Sequence, residues 1–294
     1  METRAIRRPS DKIFDIVLIV INLMICIVAV YPIYYTFIAS ISKPLFVENG
    51  TVMLFPYGTT FESYVKAAQL DGLWTAYGNT IFYTLVGTFV SMAFSTTMAY
   101  ALSRTRLVWR KPITLFVVFT MWFNAGLIPT YSNFRDLHLL DTRTAIVLGF
   151  AINAYNLIIM KSFFEQLPDS LEEAAIIDGA NNIRIFWSIF LPLSKPALAT
   201  VGLFYAVGRW NSYFWAMTLL KSDAKMPLQV LLKKLIVEQA SNTKDAALVT
   251  PLSLSSPTTV IYALIIIAII PMLFVYPFIQ KYFRTGLTLG AVKG

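Results

Sequence analysis

Six runs of largely apolar residues decide what this chain can become. A helix needs about 20 such residues to cross a hydrocarbon core of roughly 30 Å. The runs occupy residues 13–39, 77–102, 112–133, 142–164, 196–220 and 258–283. In lipid every backbone N–H and C=O must be satisfied inside the protein, so runs of this kind become helices. Apolar residues make up 57% of the 294 and charged residues only 14%, which is not a soluble composition. Pro32, Gly87, Pro129, Gly149, Pro271 and Pro277 interrupt the runs, and neighbouring helices can re-satisfy backbone freed at such points. The expected fold is an all-α integral membrane protein with six transmembrane helices. Residues 1–12 form an N-terminal segment, 13–283 the membrane domain and 284–294 a short Gly-rich tail that reads as a flexible end.

The formal charge of +8 does not point to nucleic acid, because the basic residues sit in short patches flanking apolar runs. Lys and Arg in short loops favour the cytoplasmic side. Arg4, Arg7, Arg8 and Lys12 precede the first run; Arg104, Arg106, Arg110 and Lys111 follow the second; Lys281, Arg284 and Lys293 close the chain. Both termini are therefore expected in the cytoplasm, and loop 167–196 joins them by parity, although its own charge is acidic. The first apolar run is too long for a signal-peptide core, so it reads as a retained helix. The single cysteine, Cys26, reads as a packing residue. The single histidine, His138, lacks a partner at ligand spacing, so no metal site is expected.

Loop 167–196, LPDSLEEAAIIDGANNIRIFWSIFLPLSKP, is the longest ordered polar pattern between two apolar runs. Ser170 followed by Glu173 predicts a capping box and a short helix over 171–177. Asp178-Gly179 predicts a break, since Gly tolerates a left-handed turn. A second helix is expected over 181–190, with Ile183, Phe186, Trp187 and Phe190 on one face and Pro192 as its stop. The product is a helix–turn–helix knob with small residues at its tip, among them Ala174, Ala175, Gly179 and Ala180. Such a tip permits close approach by another surface; an ordinary solvated loop is the plain alternative.

Polar residues inside apolar runs are costly unless they face protein or water. Asn153 and Asn156 are expected to continue the fourth helix, where helix–helix bonding and substrate lining are equally open. Arg209, Trp210, Asn211, Tyr213 and Trp215 bring a charge, an amide and aromatic rings into the fifth run. Aromatic faces suit the C–H faces of sugar rings and amides suit hydroxyls. An aromatic belt with Arg209 paired to a carboxylate is the competing reading. If Arg209 faces a pathway, Arg209→Ala should impair handling of a carboxylated sugar more than of a neutral one. Leu228, Leu231, Leu232 and Leu235 form one stripe of an amphipathic helix in the loop before the last run. No G-x-x-x-x-G-K-[ST] phosphate loop occurs, and one His with one Cys offers no nucleophile–base pair. A membrane-embedded glycan or lipid enzyme and an ion-coupled secondary carrier remain the competing function classes.

The pattern Glu173-Ala174-Ala175, Asp178-Gly179-Ala180, Phe186, Ile189, Leu191-Pro192-Leu193 and Pro196 resembles the cytoplasmic coupling loop of permease subunits of ATP-binding-cassette importers. Asn79-Thr80, Ala99-Tyr100-Ala101-Leu102-Ser103-Arg104, Gly126 to Tyr131, the W-N-x-x-x-W of Trp210, Asn211 and Trp215, and the Gly-rich ending resemble the carbohydrate branch of that family, maltose-type second permeases in particular. The resemblance implies a type I importer permease fold in a bacterial inner membrane, with oligosaccharide as cargo and uronate-containing fragments as one option. It implies that Glu173, Ala174, Ala175, Asp178, Gly179 and Ala180 couple to an ATPase. It also implies the partners: a second homologous permease, two ATPase subunits that use ATP and Mg, a periplasmic or extracellular solute-binding protein, and membrane lipid. This chain itself is then expected to be no enzyme and to bind no cofactor.

Overall fold

The computed structural model describes residues 9–245 and 257–291, with side chains over 13–237 and 258–275. In chain order its helices are α1 (Pro9–Ser40), α2 (Pro44–Glu48), α3 (Glu62–Ala68), α4 (Leu73–Ser103), α5 (Arg110–Trp122), α6 (Leu127–Asp136), α7 (Arg143–Leu148) and α8 (Ala154–Glu165). They continue as α9 (Asp169–Ile177), α10 (Asn182–Ile185), α11 (Leu191–Leu193), α12 (Lys195–Trp210), α13 (Phe214–Leu219), α14 (Leu228–Asp245) and α15 (Pro257–Ala291). Among the described residues there is no strand. The chain divides into two compact units at residues 69/70, 237/238 and 267/268.

In the first unit, Ile38 and Ala39 at the end of α1 pack with Val47 and Val52. The Ser42 hydroxyl donates to the Ile38 carbonyl at 2.6 Å and accepts the Tyr57 N–H at 3.2 Å, which fastens the turn that follows. Most of the rest of α1 is apolar and exposed on this chain, and a helix apolar all round needs lipid or another protein around it. Cys26 lies on that exposed stretch, so the expected packing role is corrected: the run around it faces outward.

In the second unit α4 is the axis. Its small polar residues let α12 approach closely: Ser95 and Ser91 are fully buried, and the Ser95 hydroxyl meets the Tyr205 hydroxyl at 2.6 Å. In lipid, small residues and such bonds hold helices together where apolar burial gives little drive.

Three described helices are long and apolar enough to cross a membrane unbroken: Ile13–Ser40, Leu73–Ser103 and Thr258–Val275. The other three expected spans are broken. The third bends by 117° between α5 and α6; there Gly126 has φ +87° and donates its N–H to the Asn124 side chain at 2.8 Å. The fourth is interrupted over 149–153, where Asn153 does not continue a helix but caps α8, accepting the Asn156 N–H at 3.1 Å. The fifth stops at Trp210 and resumes as α13. The tail also departs from expectation, because the backbone of α15 stays helical to Ala291. In α14, Leu228 and Leu232 are buried and Leu231 and Leu235 half-buried, so the predicted stripe packs against protein.

Asp141 ties the loop before α7 to the loop after α13. Its carboxylate accepts the N–H groups of Lys221 and Ser222, each at 3.0 Å, the Ser222 hydroxyl at 2.5 Å and the Lys225 ammonium at 3.0 Å. These donors, Ser222 foremost, hold the carboxyl well below the usual carboxylate range. A depressed folded-state pKa means the stabilisation is present above the unfolded value near 4 and is lost as pH falls through the folded one. The melting temperature of the wild-type chain should therefore fall more steeply below about pH 4 than that of Asp141→Asn. Parallel pH profiles would contradict this.

Candidate coupling loop and transmembrane cavity

The knob forms, by a partly different route from the one expected. Pro168, with φ −58°, sits at the N-cap, and α9 begins at Asp169, two residues too early for Ser170 to act as cap. No side-chain cap bond forms there, so the expected capping box is corrected. The C-terminal end follows the sequence closely. Gly179 adopts φ +78°; its N–H reaches the Ile176 carbonyl at 3.0 Å and the Ala180 N–H reaches that of Ala175 at 2.9 Å. This paired bonding is the Schellman turn that a left-handed Gly permits. Asn181 caps α10, accepting the Arg184 N–H at 2.8 Å.

The second arm is α10 followed by a π-turn over Phe186–Phe190 and α11, in place of one regular helix. Pro192 has no N–H for the Ser188 carbonyl, and the Leu191 N–H reaches back five residues to Phe186. The wider turn splits the expected apolar face. Ile185, Phe186 and Phe190 are buried, while Ile183 and Trp187 are 69% and 65% exposed. The buried three join Tyr100, Met160 and Phe164 in one cluster, and the Tyr100 ring lies 5.0 Å from Phe190 and 5.1 Å from Phe186.

A buried ion pair that sequence reasoning missed braces the knob. Arg104 at the C-terminal end of α4 meets Glu172 in the first turn of α9, Nη1 to Oε2 at 2.5 Å, with side chains 7% and 12% exposed. The other Glu172 oxygen takes Arg106 at 2.6 Å, and Arg106 also donates to Asn182 on α10. Arg104 donates as well to the Phe164 carbonyl at 3.1 Å, and its guanidinium sits 4.4 Å from the centre of the Phe190 ring. A cation at a helix C-terminus and an anion at a helix N-terminus each oppose the local helix dipole. Arg104 is part of the Ala-Tyr-Ala-Leu-Ser-Arg motif and Glu172 abuts Glu173; their 68-residue separation hides the pairing.

Of the six expected coupling residues, Glu173, Ala174, Asp178 and Gly179 are exposed, Ala180 is half-buried and Ala175 is buried. Ala175 packs into the Tyr100–Phe164 cluster, so its smallness serves the knob's own seating. Ile177, 85% exposed, is the most prominent apolar side chain of α9.

The breaks in the fourth and fifth spans face one cavity of about 260 Å³, lined by Asn153, Asn156, Arg209, Ser212 and Trp215 among others. Arg209 finds no carboxylate among the described residues, contrary to the paired-belt reading. Its Nη2 donates to the Val147 and Phe150 carbonyls at 3.0 and 3.1 Å and to the Ser91 hydroxyl at 3.0 Å, and Nη1 donates to the Ile146 carbonyl. It therefore pins the C-terminal carbonyls of α7, where the helix dipole favours a cation. A Cβ on Gly87 would stand 3.0 Å from the guanidinium carbon, so a larger residue there would push the pin by a few tenths of an ångström. Irregular backbone at membrane depth is tolerated where it is buried in protein or lines a cavity. The other expected pathway residues stand elsewhere. Trp210 is buried, donates to the Ala268 carbonyl at 3.2 Å and packs edge-on to Tyr77; Asn211 bonds back to Val207 at 2.9 Å; Tyr213 is 41% exposed.

Apolar helices broken around a polar cavity, with a braced helical loop exposed at one end, define a helical membrane protein of the transporter class. The chain belongs to the family of binding-protein-dependent transport system inner membrane components, whose model matches residues 3–288. It is 42% identical over 285 residues to the polygalacturonan/rhamnogalacturonan transport system permease protein YtcP of Bacillus subtilis (strain 168), covering 97% of this chain and 100% of that one. It is 27% identical over 293 residues to the arabinooligosaccharides transport system permease protein AraQ of Halalkalibacterium halodurans, covering 98% and 100%. A solved bacterial ABC transporter involved in the import of the acidic polysaccharide alginate has a chain that matches with a TM-score of 0.87 and 45% identity, over 95% of this chain and 99% of its own. The fold is thus the type I importer permease fold, and the chain is a transport subunit of the inner membrane.

Proposed function

We propose that the chain is one of two permease subunits of an ATP-driven importer of oligosaccharides, uronate-containing ones in particular. The similar proteins named for polygalacturonan and for alginate, both carboxylated polymers, favour that cargo. In this reading residues 1–12, 284–294 and the knob lie on the cytoplasmic side of a six-span domain. ATP and Mg are used by two separate ATPase subunits, and a solute-binding protein delivers cargo from outside.

The observation that carries the reading is the braced, outward-facing knob. Its Arg104–Glu172 weld joins α9 to the end of α4, and α4 packs along α12 beside the cavity. Force applied to Glu173, Ala174, Ile177 or Asp178 by closing ATPases then moves whole spans. Coupling of this kind needs only that the closed ATPase state favours one helix arrangement.

Ile177→Glu tests it better than the buried Ala175 or the left-handed Gly179, where any side chain disturbs the knob itself. Ile177 is 85% exposed, so the change should leave stability within about 0.5 kcal/mol. Co-purification of the ATPase subunits and cargo-stimulated ATP hydrolysis should fall at least tenfold, roughly the effect of an unpaired charge in a docked apolar contact. Unchanged co-purification would remove the knob from the interface.

A further inference from the structure

The cavity between the broken spans holds an unused polar group. Asn156 is 6% exposed as a residue and lines the cavity, and its side-chain amide has no hydrogen-bond partner among the described residues. Its amide opens onto the cavity with its donors and acceptor unspent by the protein, so a group entering the cavity can bond it. It lies in the first turn of α8, a 12-residue helix capped by Asn153, whose N-terminus favours negative charge. The Arg209 guanidinium also lines the cavity, held by carbonyl and hydroxyl oxygens alone. Its charge is solvated by dipoles and not cancelled, and no carboxylate lines the cavity. Of the two N–H groups on Nη1, one is spent on Ile146. Phe150 and Trp215 stack on the wall with ring centres 5.2 Å apart and planes 29° from parallel.

We propose that this cavity is a transit subsite for one carboxylated sugar unit. The Asn156 amide is the direct contact, Arg209 and the N-terminus of α8 supply the positive field, and the Phe150–Trp215 pair receives the C–H face of the ring. The subsite rests on the reading of the chain as an oligosaccharide permease. It assigns charge selectivity to Asn156 as the contacting residue and to Arg209 as a positioning residue whose main bonds are to α7.

The test is equilibrium binding of labelled trigalacturonate, its methyl ester and maltotriose to the full chain, purified with its accompanying subunits in lipid nanodiscs. The acid should bind roughly tenfold more tightly than the ester, as one favourable charge contact at an intermediate dielectric gives. Asn156→Asp should abolish that preference, and so should Ser212→Asp, at a cavity residue whose hydroxyl holds no hydrogen bond. The second variant covers the case in which the first fails to fold. Equal binding of acid and ester, tighter binding of neutral maltotriose, or acid preference surviving in the folded variants overturns the subsite. ATP-driven import by the assembled system reports on the permease reading separately: import with no acid preference in binding removes only the subsite.

Discussion

Glu172→Ala is expected to be among the most damaging single changes in the chain. It leaves Arg104, 7% exposed, without the carboxylate 2.5 Å from its Nη1. Breaking a buried pair from one side costs about 3–5 kcal/mol, because the surviving charge stays desolvated. Arg104 retains the Phe164 carbonyl and the Phe190 ring, and neither neutralises it. Arg106 loses its carboxylate too, but with 47% exposure it can turn to water. The melting temperature should fall by several degrees, and the surviving transporter should hydrolyse ATP with little transport, since the knob is then loosely joined to α4. Glu172→Gln, which keeps the shape, should be milder. A Glu172→Ala protein with wild-type melting temperature and wild-type transport per ATP would show that the weld carries no force.

Arg209→Ala is expected to be comparably severe for a different reason. The guanidinium satisfies the carbonyls of Ile146, Val147 and Phe150 where α7 ends. Each buried acceptor left without a donor costs about 1–3 kcal/mol, so the loss should be about 3 kcal/mol or more. The break between α7 and α8 then loses its fixed geometry, so uptake of neutral oligosaccharides should fall along with that of acidic ones. Selective loss of acidic uptake, with thermal stability unchanged, would mean that the pin is dispensable and Arg209 serves the ligand alone. Arg209→Lys should rescue little, because one ammonium cannot reach the acceptors that the planar fork spans.

These two residues mark where the sequence was legible and where it was not. Gly179 announced its turn locally, and the turn forms; Asn181, read as the first residue of the second helix, caps it instead. Ser170-x-x-Glu173 announced a cap that the fixed φ of Pro168 pre-empts by starting the helix at Asp169. Pro192 was legible as an interruption, but its effect on the preceding five residues, a π-turn that turns Trp187 outward, depends on how Phe186 and Phe190 seat against Tyr100. Apolar runs gave the spans' positions and hid their breaks, since a capped Asn153 and a helical one read alike. Arg209 stood out as a charge in an apolar run; that its partners are main-chain carbonyls is invisible to any pattern of side chains. The Arg104–Glu172 weld was likewise beyond local reading.

The account depends most on the knob being a cytoplasmic docking element. Ile177→Cys in a Cys26→Ser background, with Cys26 the chain's single natural cysteine, can be probed with a membrane-impermeant maleimide. Labelling should occur in inside-out vesicles, be absent in right-side-out ones, and fall when the ATPase subunits are bound. Labelling from the outer face, or labelling indifferent to the ATPase subunits, would contradict it.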